Sequence, residues 1–341
     1  MRKKLFLLLI PLFFFTASCS LNVLQPEGDN NTNTPSKDDS KVYTVTFVSN
    51  NGTEDISVAV AAGSDTYEKP EAPQKTGYIF DCWCMDEELT MEFDFSTDIT
   101  ESITLYARYY TDYAYLTNQI TTDTIRANIT VINSSYSGTF FPTLNSQSTG
   151  SGIIFDFKVI GKKNYYFALT NNHVIYSTAA NVKYTVEDYL GNTYTASLIA
   201  ADAGYDLAII AFEKSIDLTV IEAVENNPKI NTKIVSLGQP KGQSNAITYG
   251  TIQAYKAISL TEAHPEESNI LFDTISHTSY IASGSSGGAL LNTELKLVGI
   301  NFAGATTANG VFVSGHAVPI EKVRELSLIH ISEPTRHAQI S

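Results

Sequence analysis

A mainly β fold is what this chain's hydropathy pattern predicts: a pair of antiparallel barrels or a sandwich, preceded by a smaller β module. The first observation is a succession of short apolar runs between Ile129 and Glu325, among them GSGIIFDFKVI, NYYFALTN, TYTASLIAAD, DLAIIAFE, KIVSLGQ and GVFVSGHAVPI. The second is the punctuation between them by Gly, Asn, Asp and Pro, and the third is the near absence of helical periodicity. Strands repeated at this density close their edges most simply by forming barrels. Between the two ends of the chain lie about 300 residues, which suits two domains better than one.

The beginning of the chain reads as an export signal. Arg2, Lys3 and Lys4 precede an apolar run from Leu5 to Phe15 that is too short to span a bilayer as a permanent helix, so cleavage is expected. Thr16-Ala17-Ser18-Cys19 resembles the bacterial lipoprotein box, although Thr16 stands where that box usually has leucine. The resemblance implies that residues 1–19 form a lipoprotein-type signal, cut before Cys19, with Cys19 lipidated as the mature amino terminus and anchored on the extracytoplasmic face of the cell membrane. Residues 20–41 are rich in Asn, Thr, Ser, Asp and Pro, bury too little apolar surface to fold, and read as a tether. At the other end LSLIHISEPTR, Leu326 to Arg336, resembles a translated sequencing adapter, so residues 326–341, with His330 and His337, are set aside.

The net charge of −14, with 22 basic residues, argues against a nucleic-acid partner. Of the three cysteines only Cys82 and Cys84 fall in a folded segment. Two positions apart on one strand, they are expected about 7 Å from each other, too far to bond, and in a buried structural role.

From Val42 the chain alternates: VYTVTFV, then Ile56 to Ala62, Tyr78 to Trp83, and Ile103 to Ala107, separated by Asn-Gly, Pro and Lys-Thr-Gly turns. With VTFVSNNG, KPEAPQKTGYIFDCW, DEELTMEFDFSTDIT and ITLYARY, residues 42–110 resemble the internalin-type B repeat. The resemblance implies a small β-grasp-like module, serving as a spacer or binding a cell-surface ligand. That family usually has Gly-Trp-Tyr where Cys82-Trp83-Cys84 stands here. Residues 111–128 read as a polar linker with a short helix.

Three segments carry chemistry. FALTNNHVI reads as an apolar strand ending at His173, YDLAIIA opens an apolar strand at Asp206, and SGSSGGAL is a small-residue turn holding Ser286. A serine hydroxyl is a poor nucleophile until an imidazole takes its proton. His173 can do so at neutral pH, and a shielded carboxylate, Asp206, would fix its tautomer. The amides of Gly284 and Ser286 can converge on a developing oxyanion because the turn carries no bulky side chains. Ser285 is a rival nucleophile, disfavoured because Ser286 directly precedes Gly-Gly. GxSxG is also the elbow of α/β-hydrolases, but the acid and histidine would then have to follow the serine.

TNNHV, DLAII, GSSGG and VGIN, with GSGI, SLGQPKG, YGTI and GHAVPI, resemble the HtrA/DegP branch of trypsin-fold proteases over most of 129–325. The resemblance implies a chymotrypsin-like double β-barrel and a serine endopeptidase acting through His173, Asp206 and Ser286 on exported or surface polypeptides, with no cofactor. By the same analogy Tyr280 and the strand Gly299, Ile300, Asn301, Phe302 shape the site for the residue before the cleaved bond, with neutral or apolar preference. A homo-oligomer is compatible with it. The competing reading is a catalytically inactive surface adhesin or peptide-binding protein. His264 is expected exposed, His277 in a loop without a role, and His316 beside the specificity pocket or in the core.

Overall fold

The computed structural model describes residues 41–331 except 139–140, 216, 244 and 259–263, with side chains to residue 327. The signal segment, Cys19 and all but the end of the tether lie outside these residues, as does 332–341 of the adapter-like end.

The first unit is one four-stranded sheet of β1 (Val42–Val48), β2 (Ile56–Ala61), β3 (Tyr78–Cys84) and β4 (Ile103–Thr111), ordered β2-β1-β4-β3. β1 and β4 run parallel at the centre, the pairing expected of a β-grasp-like module. Alternation places Val45, Phe47, Val60, Trp83, Leu105 and Ala107 on one buried face, closed by Phe93 and Ile99. Phe47 and Trp83 meet edge to face at 4.9 Å, a geometry that adds to the burial of the rings.

The segment read as a linker is instead packed into the barrel core. Asp112 caps α1 (Tyr113–Thr122) by accepting from the amides of Ala114 and Tyr115. Leu116 and Ile120 then bury their side chains in the large core, and Thr117 and Tyr113 meet Tyr249.

Two closed barrels complete the chain. The first contains β5 (Asn128–Ser137), β6 (Thr143–Ile160), β7 (Lys163–Thr170), β8 (Val182–Glu187), β9 (Thr193–Asp202) and β10 (Leu207–Glu213), ordered β10-β7-β6-β5-β8-β9. A single helical turn, α2 (Asn172–Ile175), follows β7. The second contains β11 (Lys233–Gly238), β12 (Ala246–Lys256), β13 (Thr274–His277), β14 (Ala289–Asn292), β15 (Leu297–Thr306) and β16 (Phe312–Pro319), ordered β11-β12-β13-β16-β15-β14. The last helix, α3 (Ile320–Ile331), buries Val323 and Leu326 in the core that both barrels share.

Each barrel encloses polar groups that set its acid response. In the first, Lys214 bonds Asp188, with both side chains almost fully buried. Burial alone would raise the Asp188 carboxyl, but donors from Lys214, Asn192 and Leu190 outweigh it and hold it at about 2. In the second, burial pushes His277 and His316 down to about 4, helped by His316 beside the former and Lys256 beside the latter. The buried imidazoles stay neutral while the unfolded chain takes up protons, so stability present above about 6.5 is lost as pH falls to about 4. The carboxylate acts lower. Its contribution is present above about 4 and lost as pH falls through about 2. Urea midpoints measured from pH 7 downward are therefore expected to fall in two stages, and His277→Gln with His316→Gln should flatten the upper one.

Candidate active site

His173 does not end a strand as its sequence pattern indicated. β7 stops at Thr170, and His173 is carried on the α2 turn. Asn171 ties this turn to the strand opposite, its Nδ2 donating to the Asp206 carbonyl oxygen at 2.7 Å. Asp206 holds both ends of the histidine: Oδ1 accepts from the His173 backbone amide at 3.0 Å, and Oδ2 lies 2.8 Å from Nδ1. The carboxylate is wholly buried, and the imidazole keeps about a third of its surface open. Because an ionised carboxylate only accepts, Nδ1 carries the proton and Nε2 presents a lone pair. Asp206 stands at φ 49°, a left-handed conformation that aspartate tolerates better than most residues.

Ser286 projects from a turn fixed on every side. Ser285 is buried, its amide donating to Ala282 O at 2.8 Å and its hydroxyl accepting from Ala282 N at 3.1 Å. Ser285 is thus part of the turn's frame, while Ser286 is half-exposed. Gly287 is required here: φ is +83°, and a Cβ would stand 2.0 Å from the Ser151 carbonyl oxygen.

Ser151, on β6, joins this turn to the first barrel, a role that its place in the GSGI run did not reveal. Its amide donates to Ser286 O at 2.7 Å. Its hydroxyl donates to Gly284 O at 2.7 Å and accepts from Gln239 N at 2.9 Å. Its own carbonyl oxygen accepts from Thr170 Oγ1 at 2.7 Å, three residues before His173. One position earlier, a Cβ on Gly150 would lie 2.6 Å from a methyl of Val174 and 3.0 Å from Ser286 O. The residue following the histidine and the backbone of the serine therefore flank the same glycine.

The hydroxyl of Ser286 donates to Phe302 O at 3.3 Å. No hydrogen bond joins it to His173 among the described residues. The amides of Gly284 and Ser286 donate to nothing among the described residues. The adjoining Ser283 and Ser285 carbonyl oxygens accept from Lys241 N at 2.6 Å and Gly288 N at 2.9 Å. In trans peptides these bonds turn the two N–H groups the other way.

The residues assigned to substrate separate into two groups. Tyr280 is exposed and packs its ring against Phe312 at 5.1 Å. Phe302 offers the carbonyl oxygen that takes the Ser286 hydroxyl. Gly299 and Ile300 instead face inward: Ile300 is fully buried, and a Cβ on Gly299 would meet Val318 O at 2.6 Å. They back the cleft without lining it. Asn301 is also buried, and its backbone bonds Gly287 N and Gly288 O at 2.8 and 2.9 Å. Its Nδ2 donates to Ala289 O at 3.2 Å, leaving Oδ1 to accept from His277 Nε2 at 3.1 Å. His277 thus belongs to strand β13 and braces the serine turn through Asn301, contrary to the loop position its sequence indicated. His316 is buried between Thr274 and Ser314, and His264 is exposed.

Comparison with known proteins agrees with the double-barrel fold. Residues 150–300 match the model of the trypsin-like peptidase domain, and residues 43–108 that of the Listeria-Bacteroides repeat domain. The periplasmic serine endoprotease DegP of Escherichia coli K12 is 30% identical over 182 residues, 53% of this chain and 35% of that protein. A probable DegP-like endoprotease of Buchnera aphidicola subsp. Baizongia pistaciae is 34% identical over 182 residues, 53% and 36% of the respective chains. The serine protease PepD of Mycobacterium tuberculosis is 28% identical over 192 residues, 52% and 40%. The chain thus spans little more than a third of the length of these relatives. A solved HtrA-type protease with a tripeptide superposes with a TM-score of 0.50 at 22% identity, covering 64% of each chain, a likeness of fold. Residues 150–300 are thus similar to the trypsin-like peptidase domain, with DegP serine endoproteases among the relatives of this region, and residues 43–108 are similar to the Listeria-Bacteroides repeat domain.

Proposed function

We propose that the chain is a serine endopeptidase that hydrolyses exported or surface polypeptides through His173, Asp206 and Ser286. The observation that carries this reading is the doubly bonded, fully buried Asp206 behind His173, with the serine turn bonded to Ser151 of β6, whose carbonyl oxygen takes the Thr170 hydroxyl at the end of β7. Once Ser286 Oγ leaves Phe302 O, His173 Nε2 accepts its proton as the oxygen adds to the substrate carbonyl carbon. The Gly284 and Ser286 amides hold the resulting oxyanion. His173 then returns the proton to the leaving nitrogen, the C–N bond breaks, and an ester on Ser286 is left. Water repeats the sequence and restores the hydroxyl.

Phe302 O as the resting partner of Ser286 favours one rival, a peptide-binding protein without turnover. A fluorophosphonate probe separates the two. Labelling of the wild type that vanishes in Ser286→Ala is the expected result, and equal absence from both would select the binder. Lipidation at Cys19, with the repeat module as spacer or ligand binder outside the membrane, belongs to the same proposal. No helix among the described residues is long and apolar enough to cross a membrane. Incorporation of labelled palmitate, lost in Cys19→Ala, tests the anchor.

The same proposal extends to the side chain that precedes the cut. On β15, a Cβ added to Gly304 would come within 3.5 Å of Ile281 O and 3.8 Å of Phe312, ordinary contacts that the folded protein accepts. Gly304→Ala is therefore expected to unfold at the wild-type temperature while narrowing the space beside Tyr280. In a peptide panel kcat/KM should fall by about 10- to 100-fold for Leu or Phe before the scissile bond, and little for Ala. In the wild type, strong preference for Arg or Lys would contradict the neutral assignment.

A further inference from the structure

The cysteines of the repeat module lie closer than their spacing indicated. Where β3 pairs with β4, Phe80 faces Tyr109 and Cys82 faces Arg108, so Asp81 is an extra residue in a β-bulge. Beyond this bulge the Sγ atoms of Cys82 and Cys84 stand 3.8 Å apart, in contact. Two steps along a strand separate Cα atoms by about 6.6 Å, within the roughly 4.4–6.8 Å that bridged cysteines span. Both thiols are free, Cys84 buried and Cys82 half-buried, so reagents arrive through Cys82. Its neighbour Asp81 accepts from the Cys82 thiol at 3.7 Å and is held by Arg108 Nε at 2.5 Å. The carboxylate therefore keeps a charged partner when the thiol proton leaves.

We propose that Cys82 and Cys84 form a two-electron redox site that a low-molecular-weight disulfide, R–S–S–R, closes to an intrastrand disulfide. The Cys82 thiolate attacks one sulfur of the oxidant, forming Cys82–S–S–R and expelling the first RS⁻. The Cys84 thiolate then attacks Cys82 Sγ and expels the second. Two electrons pass from the cysteine pair to R–S–S–R, and the two thiol protons end on two RSH. So small a ring is strained, which makes the bond readily reducible. Burial, with Cys84 alongside, pushes the Cys82 thiol up to about 12. Thiolate is then scarce at neutral pH, and closure should quicken about tenfold per pH unit between about 7 and 9. Trp83, the only tryptophan, lies between the two sulfurs in sequence and in the module core in space, so its emission reports closure.

The test uses the full chain, equilibrated with mixtures of oxidised and reduced glutathione, quenched in acid, unfolded, alkylated and cleaved with trypsin. One tryptic peptide, residues 76–108, carries both cysteines. Expected is a peptide that escapes alkylation and is lighter by two hydrogens, in step with a change in Trp83 emission and reversed by dithiothreitol. Cys84→Ser should stop at a glutathione adduct on Cys82. Double alkylation at every ratio, two separate glutathione adducts, or a cross-link to the Cys19 peptide would each overturn the proposal.

Discussion

Replacing Ser286 with alanine is expected to lower kcat by about 10⁵- to 10⁶-fold, with KM nearly unchanged. The hydroxyl is the atom that bonds to substrate, and no other group in the turn can replace it. Ser285 is adjacent, but its oxygen is buried and takes the Ala282 amide, so rotating it outward would break the turn that presents the nucleophile. His173→Ala should cost a similar factor, since a hydroxyl without its base returns to ordinary reactivity. The double variant should lose scarcely more than either single one, because the two groups act in one proton transfer. Hydrolysis of a peptide anilide, with thermal unfolding as the control for folding, measures all three. A Ser286→Ala protein retaining even a tenth of wild-type turnover would remove the proposed mechanism.

The side chains of this site were legible in the sequence because each sits in an unbroken local signal: an apolar run with a turn, and the nucleophile among glycines. Its supports were not, because they depend on strands that meet only after the barrels close. Ser151 braces a turn more than a hundred residues away, with its hydroxyl as much as with its backbone. Nothing in GSGI distinguishes that from an ordinary strand residue. His277 and Asn301 find each other across the second barrel in the same way. The alternation rule gave β1 to β4 their places. It misjudged Cys82 and Cys84 because spacing along a strand fixes Cα atoms and not the sulfurs, which rotation about the Cα–Cβ bonds brings to 3.8 Å. Gly299 and Ile300 share a short apolar run with Phe302, and hydropathy does not show that the closed barrel covers both faces of that run, with Val318 O over Gly299 and Ile300 wholly in the core. The linker reading failed at α1 since Leu116 and Ile120 gain a buried face only once the barrels are there to cover them.

Asp206→Asn is expected to fold normally and yet lose on the order of 10⁴-fold in kcat at neutral pH. Asparagine matches the shape of aspartate and accepts a φ of 49° as readily, so neither packing nor backbone is disturbed. What changes is the direction of one proton. The His173 backbone amide occupies the Oδ1 position as a donor, which obliges the new side chain to put its carbonyl oxygen there and its NH₂ against Nδ1. Two donors cannot face each other, so the imidazole must give up its Nδ1 proton and carry it on Nε2, toward Ser286. In that tautomer the nitrogen meant to receive the serine proton already holds one. An anilide assay beside a thermal scan separates this from unfolding. Turnover within tenfold of wild type, with the fold intact, would mean that His173 does not depend on Asp206 for its tautomer, and the buried pair would then be structural.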